Sequence, residues 1–204
     1  MAVEIFIARH GQNEDNANGI LNGHRDLPLT ELGREQARQL GQGLKELGMT
    51  FDVIYSSPLS RAYETAEIVS KILGITQKPT IVPELIERDF GVMSGKPQTS
   101  IAKLCAPDII QGEAVTYFLN PEGAETFPKL VERGHNILQI IRDMQSEGNA
   151  LLVCHGDLGK MIYAAATGKN WQDVLIDFHF GNGELIELNP QDDAKKIIIP
   201  QYNS

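Results

Sequence analysis

Residues 5–13 read IFIARHGQN, an apolar, β-branched run that ends abruptly in Arg-His-Gly. Such a run predicts a short buried strand, which we place at residues 3–8. The stretch ALLVCHGD at residues 150–157 repeats the pattern, because it too runs from apolar residues into His-Gly. Only a fold that brings two strand ends together could place His10 beside His155, so these two stretches decide the architecture.

Helical patterns separate the strand candidates along the chain. Thr30 is a suitable N-cap for one helix, and Ser57 and Pro58 suit the N-cap and first residue of another. Strands that alternate with helices of this length predict βαβ units and a mainly parallel sheet. The predicted helices are residues 31–47, 58–73, 126–147 and 157–167, and the predicted strands are 3–8, FDVIYSSP, PTIVPELIE, 150–154 and one or two closing strands in GELIELN and KKIIIP. The apolar stripe of the helix at 126–147 consists of Phe127, Leu130, Ile137, Leu138, Ile141 and Met144.

Residues 91–123 interrupt this alternation, because proline, glycine and polar residues separate their short apolar pieces. We expect this segment to be a cap-like insertion over the carboxyl edge of the sheet and not a separate domain. The chain, residues 1–204, is then predicted to be a single α/β domain with three layers, in which helices cover both faces of the central sheet.

Composition and charge argue against several classes of partner. The chain has 204 residues and a formal net charge of −9, with no block of lysines or arginines, so nucleic acid and anionic membranes are poor partners. No apolar run approaches the about 18 residues of a membrane span, and we expect no signal peptide. The two cysteines match neither a disulfide framework nor a zinc site, so we expect a cytoplasmic protein without a metal site. The sequence leaves a homodimer open.

Cations and imidazoles are predicted to meet at the carboxyl edge of the sheet, where open α/β sheets bind ligands. Arg9 and His10 follow one strand, His155 follows another, and Arg61 lies in the first turn of the helix after a third. Guanidinium groups and the free N–H groups of helix starts suit a phosphoryl dianion. Imidazole is a nucleophile at neutral pH, so its attack on phosphorus would give a phosphohistidine.

The leaving oxygen in such a reaction needs a proton. A carboxyl group near Glu87 could supply it, because burial beside an apolar segment raises a carboxyl pKa. Glu84 and Asp89 are competitors that this reasoning leaves open. The remaining histidines lack comparable neighbours in the sequence and are interpreted as structural: His24, His135 and His179.

Five segments occur in a fixed order: ARHG, NGHRDLPLTELGREQA, YSSPLSRAYETA, LIERDFGVMSGK and VCHGD. Together they resemble the serial motifs of the histidine phosphatase superfamily, in its phosphoglycerate-mutase-like branch. The resemblance implies that His10 is the phosphorylated nucleophile, that Glu87 donates the proton, and that His155 completes the phosphate pocket. It also implies no metal or organic cofactor. The residues assigned to substrate binding are Arg9, Arg61, Asn16, Asn22, Gly23 and, at the start of a helix, Gly156.

The sequence departs from the family pattern in two places. Gln12-Asn13 stands where Glu-Thr or Glu-Ser usually follows Arg-His-Gly, so one hydroxyl contact is missing or replaced. Cys154 stands where a serine often precedes the second His-Gly. We interpret Cys154 as a small apolar residue at the end of a buried strand and not as a thiol nucleophile.

The choice between phosphatase and mutase depends on the insertion. Mutases of this family carry an Arg-Arg pair there to hold a second anionic group. This chain has two lysines against three carboxylates in the same segment: Lys96 and Lys103 against Asp108, Glu113 and Glu122. Asp157 also differs from the asparagine that mutases place after His-Gly. We therefore predict a phosphatase that acts on a small phosphorylated metabolite, such as a sugar phosphate, with Lys96 or Lys160 as a candidate contact to a distal group. The alternatives are a phosphoglycerate mutase and a non-catalytic binder of phosphoryl ligands.

Overall fold

The two stretches that lead into His-Gly form the two central strands of one sheet. A computed structural model describes residues 2–112 and 115–188 and, further on, a strand at Lys195–Ile197. The strands are β1 (Glu4–Arg9), β2 (Val53–Ser56), β3 (Thr80–Ile81), β4 (Ile109–Gln111), β5 (Thr116–Phe118), β6 (Asn149–Cys154), β7 (Leu185–Leu188) and β8 (Lys195–Ile197). Six of them form the main sheet in the order β3-β2-β6-β1-β7-β8, and β4 pairs with β5 separately.

The sheet is mainly parallel, as predicted. Strands β1, β2, β3 and β6 run in the same direction, whereas β7 is antiparallel to β1 and β8 is antiparallel to β7. The described strands β7 and β8 lie within the two predicted closing segments. The remainder of those segments beyond Leu188, apart from β8, lies outside the described residues.

Helices cover both faces of the sheet, which confirms the three-layer prediction. The helices are α1 (Glu14–Ala17), α2 (Glu31–Glu46), α3 (Ser60–Leu73), α4 (Ile101–Cys105), α5 (Phe127–Met144), α6 (Gly156–Thr167) and α7 (Trp171–Asp177). Successive β1 side chains point to opposite faces. Phe6 and Ala8 pack with apolar residues of α2 and α3, whereas Ile5 and Ile7 pack with those of α5 and α6.

The register of the central strands sets the position of the two histidines. Arg9 of β1 pairs with Cys154 of β6, and the backbone N–H of His10 donates to the Cys154 carbonyl over 3.0 Å. His10 and His155 therefore leave the sheet at the same level on adjacent strands.

The start of α2 follows the prediction, but the start of α3 does not. The Thr30 side chain caps α2 by accepting from the backbone N–H of Gly33. Helix α3 begins at Ser60, so the prediction of Ser57 as N-cap and Pro58 as first helical residue is wrong. The Oδ1 atom of Asp26 accepts from both the N–H and the hydroxyl of Ser60, each over 2.7 Å. The first backbone N–H of α3 is therefore satisfied by a side chain from a different loop.

Two further expectations are corrected by the structure. The stretch PTIVPELIE was expected to be extended as far as about Glu87, but only Thr80–Ile81 forms a strand, and Pro83–Leu85 makes a 3₁₀ turn. A proline cannot donate a ladder hydrogen bond, which is consistent with the early end of the strand. Met144 does not belong to the buried stripe, since it is the last residue of α5 and is 52% exposed.

The segment 91–123 contains short elements instead of being wholly irregular. Two 3₁₀ turns, α4 and the β4–β5 hairpin follow one another. Its apolar residues Met93, Ile101 and Phe118 pack with Leu21 and Phe90 in one cluster. Within the described part of the chain, no helix has the length and apolar character needed to cross a membrane.

Candidate active site

The side chain of His10 is buried at the end of β1, and its two ring nitrogens have different partners. Nδ1 lies 2.6 Å from the Gly11 carbonyl, which can only accept, so the proton is assigned to Nδ1. Nε2 then accepts a hydrogen bond from Nε of Arg61 over 3.2 Å. Burial lowers the pKa of His10 well below its ordinary value, and the charges of Arg61 and Arg9 lower it further. The ring is therefore neutral and carries its lone pair on Nε2.

His155 lies against His10, with 5.1 Å between the ring centroids. Its Nε2 atom is 2.7 Å from the hydroxyl of Ser57, which holds the ring in place. The pKa of His155 is also lowered well below its ordinary value, first by burial and then by the charges of Arg61 and Arg9. The ring of His155 is therefore neutral in the resting site.

Arg61 and Arg9 are oriented by backbone carbonyls and not by carboxylates. Arg61 donates to the carbonyls of Arg25 (2.7 Å) and Gly23 (3.1 Å), and burial lowers its pKa to about 10. Arg9 donates through Nη1 to the Phe180 carbonyl over 2.7 Å. Neither guanidinium forms a salt bridge with a described residue, so both positive charges remain available to an anion.

Unpartnered nitrogen atoms are concentrated at this site. Among the described residues, four buried side-chain polar atoms have no hydrogen-bond partner: Nε of Arg9, Nε and Nη2 of Arg88, and Nδ1 of His155. Leaving a buried polar group unpaired costs about 1–3 kcal/mol. Such a cluster indicates a site that a ligand completes, and anionic oxygen atoms are the natural partners of guanidinium groups.

Glu87 is the predicted acid, and its carboxyl group is buried in the same place. Oε1 accepts from the backbone N–H groups of Arg88 (2.8 Å) and Leu158 (3.0 Å). Burial raises the pKa of Glu87, and the negative charge of Asp157 raises it further, against the opposing effect of these hydrogen bonds. A raised pKa makes a carboxyl group a better proton donor near neutral pH.

The two competing carboxylates, Glu84 and Asp89, do not line the cavity that holds the histidine, whereas Glu87 does. Arg133 on α5 fixes the backbone before Glu87, because it donates to the carbonyls of Glu84 and Ile86 over 2.7 and 2.5 Å. Arg133 is itself held by Glu125 in a salt bridge of 2.6 Å. Sequence reasoning did not single out this positioning residue.

The loop after His10 supplies the remaining predicted residues. Asn13 caps α1 by accepting from the N–H of Asn16, and its amide donates to Asn22 over 2.7 Å. These contacts show what stands in place of the hydroxyl group that the family usually has at position 13. Asn16 and Asn22 line the cavity, whereas Gly23, with a φ of +52°, contributes its carbonyl to Arg61.

These groups surround one cavity of about 130 Å³. The predicted site residues that line it are Arg9, His10, Asn16, Asn22, Arg61, Glu87 and Gly156. His155 packs against His10 but is not part of the lining, and Lys96 is exposed outside the cavity. In the described part of the chain, no group of three or more His, Cys, Asp or Glu side chains is placed to hold a metal ion.

A family model agrees with this geometry. Residues 5–200 match the model of the histidine phosphatase superfamily, branch 1. The chain belongs to the histidine phosphatase superfamily.

Two curated relatives are named 2,3-bisphosphoglycerate-dependent phosphoglycerate mutase. The protein from Mesorhizobium japonicum is 29% identical over 196 residues, which cover 93% of this chain and 94% of that relative. The protein from Methylobacterium sp. (strain 4-46) is 33% identical over 156 residues, 75% of each chain.

A solved structure shares the fold of this chain. A protein of Escherichia coli K-12, described provisionally as an alpha-ribazole-5'-P phosphatase, superposes with a TM-score of 0.76. It is 26% identical, and the alignment covers 98% of this chain and 97% of that one. The predicted family and fold class are thereby confirmed.

Several residues that line the cavity were not assigned from the sequence. Arg88 is completely buried, and its guanidinium lies 4.2 and 4.3 Å from the ring centroids of Phe127 and Phe118. Its Nε atom is 3.0 Å from Oδ2 of Asp157, an ion pair whose N–H does not align on the oxygen. The other unassigned members include Tyr117, His179 and Phe180. The one sequence signal for Arg88 and Asp157 is that they lie close to the predicted site residues Glu87 and His155. What they do in the site depends on tertiary packing.

Proposed function

We propose that this protein is a phosphatase that hydrolyses small phosphomonoesters through a phosphohistidine at His10, without a metal cofactor. The observation that supports this proposal is the unprotonated Nε2 atom of a buried neutral imidazole, which accepts a hydrogen bond from the Arg61 guanidinium in a site that also holds unpartnered nitrogens. A phosphoryl group in this cavity would bring its phosphorus to the lone pair and its oxygens to the donors.

In the first step, Nε2 of His10 attacks phosphorus. The N–P bond forms as the bond between phosphorus and the ester oxygen breaks, and the ester oxygen takes the proton of Glu87. Arg9 and Arg61 hold the equatorial oxygens and balance their charge. Products of this step are the free alcohol, the phosphohistidine and the Glu87 carboxylate.

In the second step, water attacks the phosphohistidine. Glu87 removes a proton from the water as the new P–O bond forms, and the N–P bond breaks to return the neutral ring. Inorganic phosphate leaves, and Glu87 is again protonated. The same carboxyl group thus acts as acid and then as base.

The transfer of the phosphoryl group to water, and not to a second substrate, is supported by two features of the sequence. The insertion lacks an Arg-Arg pair, and Asp157 follows the second His-Gly. The provisional name of the Escherichia coli structure is in agreement, although at 26% identity it does not indicate the substrate.

Phosphoglycerate mutase is a second candidate. Both curated relatives described above carry that name. In addition, Arg88 and Lys160 line the cavity, although neither belongs to the insertion at residues 91–123. Cations for a second anionic group, which a mutase needs, are therefore present outside the insertion.

The proposal is tested by hydrolysis of para-nitrophenyl phosphate. His10→Ala is expected to lower kcat by at least about 10³-fold, as loss of a nucleophile does in other enzymes. His135→Ala, on the exposed surface of α5, is the matched control. Rapid-quench intact mass spectrometry should detect a phosphoryl adduct on the native protein and none on His10→Ala. Equal rates for native protein and His10→Ala would favour the non-catalytic binder.

A second assay separates phosphatase from mutase. The enzyme is given 3-phosphoglycerate with 2,3-bisphosphoglycerate as primer, and both isomerisation and phosphate release are followed. The phosphatase proposal expects phosphate release to be faster. Interconversion of 2- and 3-phosphoglycerate that outpaces release would establish the mutase instead.

A further inference from the structure

Lys160 is a buried lysine in the second turn of α6, with only 6% of its surface exposed. Lysine is rarely buried to this degree unless it is paired. Its Nζ atom donates to the hydroxyl of Tyr117 over 2.6 Å and to the carbonyl of Phe178 over 2.5 Å. An ammonium has three N–H donors, so these two contacts leave one donor for another partner.

No described carboxylate lies within salt-bridge distance of Lys160, which distinguishes it from Arg88 in the same cavity. Burial lowers the pKa of Lys160 to about 8, although the charge of Asp157 acts in the opposite direction. The amine therefore remains largely protonated at pH 7. A buried cation that forms no ion pair is costly, and an anion that entered the cavity would relieve that cost.

The position of Lys160 relative to the phosphoryl site follows from the helix. Gly156 and Lys160 both line the cavity, and four residues of α-helix separate them by about 6 Å along the axis. Lys160 also lines a smaller adjoining cavity, which shares Val115, Tyr117 and His179 with the main one. The amine thus lies where the main cavity continues away from His10.

We propose that Lys160, held by Tyr117, forms a subsite for a second acidic group of the substrate, a carboxylate or a second phosphate. The enzyme then discriminates in favour of phosphomonoesters that carry such a group over uncharged analogues. This inference rests on the proposed function, since the phosphoryl group must lie at His10 for the second group to reach Lys160. The main cavity of about 130 Å³ is below the about 300 Å³ of typical ligand pockets, which favours a small substrate.

The experiment measures competitive inhibition of para-nitrophenyl phosphate hydrolysis by two matched pairs of compounds. The pair of 3-phosphoglycerate and glycerol 3-phosphate differs by a carboxylate in place of a hydroxymethyl group. The pair of fructose 1,6-bisphosphate and fructose 6-phosphate differs by a second phosphate. The native enzyme should bind the more acidic member of at least one pair about tenfold more tightly. The preferred pair identifies which acidic group the subsite accepts.

In Lys160→Met the two members of the preferred pair are expected to bind with inhibition constants that differ by no more than about twofold, in place of the tenfold difference in the native enzyme. Lys160→Gln, which keeps a neutral donor, gives the same expected loss and is the second variant if the methionine variant does not fold. Lys103→Met, at an exposed position of α4 outside the cavity, is the matched control and should keep the preference.

A preference that persists in both Lys160 variants would overturn the inference, and so would a native enzyme that shows no preference in either pair. Failure of the proposed function has a different signature. In that case the native protein and His10→Ala hydrolyse para-nitrophenyl phosphate at the same rate.

Discussion

Nε of Arg61 donates a hydrogen bond to Nε2 of His10 over 3.2 Å, so a cation occupies the lone pair of the nucleophile before any substrate is bound. This contact keeps a proton off Nε2, because a protonated ring would place two donors face to face. It also places the guanidinium next to the position that the oxygens of a phosphoryl group on Nε2 would occupy. One residue therefore keeps the nucleophile deprotonated and is ready to bind the group that the nucleophile receives.

Removal of Arg61 tests this double role. Arg61→Gln should lower kcat/KM by about 10²-fold or more, through loss of a charged donor to the transition state. The Arg61 charge lowers the pKa of His10, so the pKa of His10 should be higher in the variant. The rising limb of the pH–kcat/KM profile should then move to higher pH. The shift is partial, because burial is the larger cause and it remains. Arg38→Gln, at an exposed position on α2, is the control. A rising limb that did not move in Arg61→Gln would contradict the role of Arg61 in keeping His10 deprotonated.

The loop that carries His10 depends on a close backbone approach to α2. A Cβ atom on Gly33 would lie 1.9 Å from the Gln12 carbonyl oxygen, which is part of the backbone and has little freedom to move. Gly33→Ala should lower the free energy of unfolding by about 2–3 kcal/mol, more than the about 1 kcal/mol gained from helix propensity. Urea unfolding measures the difference, with the exposed Gln42→Ala as control. Equal midpoints for Gly33→Ala and native protein would show that this approach does not limit stability.

Sequence reasoning predicted the parts of the site that depend on strand order and motif. His10, His155 and Arg61 follow three strands that turn out to be neighbours, and parallel neighbours end at one edge. The predicted convergence of the two imidazoles is confirmed by the 5.1 Å between their rings. Their chemical roles, and that of Glu87, remain proposals.

The parts that the sequence did not predict depend on tertiary packing. Ser57 reads locally as an N-cap, yet its hydroxyl contacts His155, 98 positions away. The sequence offers Lys160 only as one of two candidate contacts to a distal group, and the positions of Tyr117 and Phe178 are what make it a buried cation. Arg88 is similar, because the aromatic rings around it come from other segments. No local pattern encodes such contacts.

The acid role of Glu87 predicts a dependence on the leaving group. Glu87→Gln should lower kcat/KM for glycerol 3-phosphate by about 10²–10⁴-fold, because the alkoxide leaves slowly without a proton and kcat/KM reports this first step and not the later attack of water. The loss should be smaller for para-nitrophenyl phosphate, whose phenolate is a good leaving group. Glu84→Gln, three positions away and outside the cavity, is the control. Equal losses on both substrates would mean that Glu87 has a structural role and does not donate the proton.

Asp157 should set the upper pH limit of activity. Its negative charge raises the pKa of Glu87, second only to burial, so Asp157→Asn should lower that pKa. The first step needs protonated Glu87, and its activity falls as pH rises through this pKa. The falling limb of the kcat/KM profile should therefore move to lower pH in Asp157→Asn. Because Asp157 also pairs with the buried Arg88, we expect a loss of about 2 kcal/mol in stability, which thermal unfolding measures.

Asp173→Asn, in the first turn of α7 and outside the cavity, is the control for an unspecific charge effect. A limb that moved equally in both variants, or moved upward in Asp157→Asn, would refute the assignment of Glu87 as the acid that Asp157 tunes.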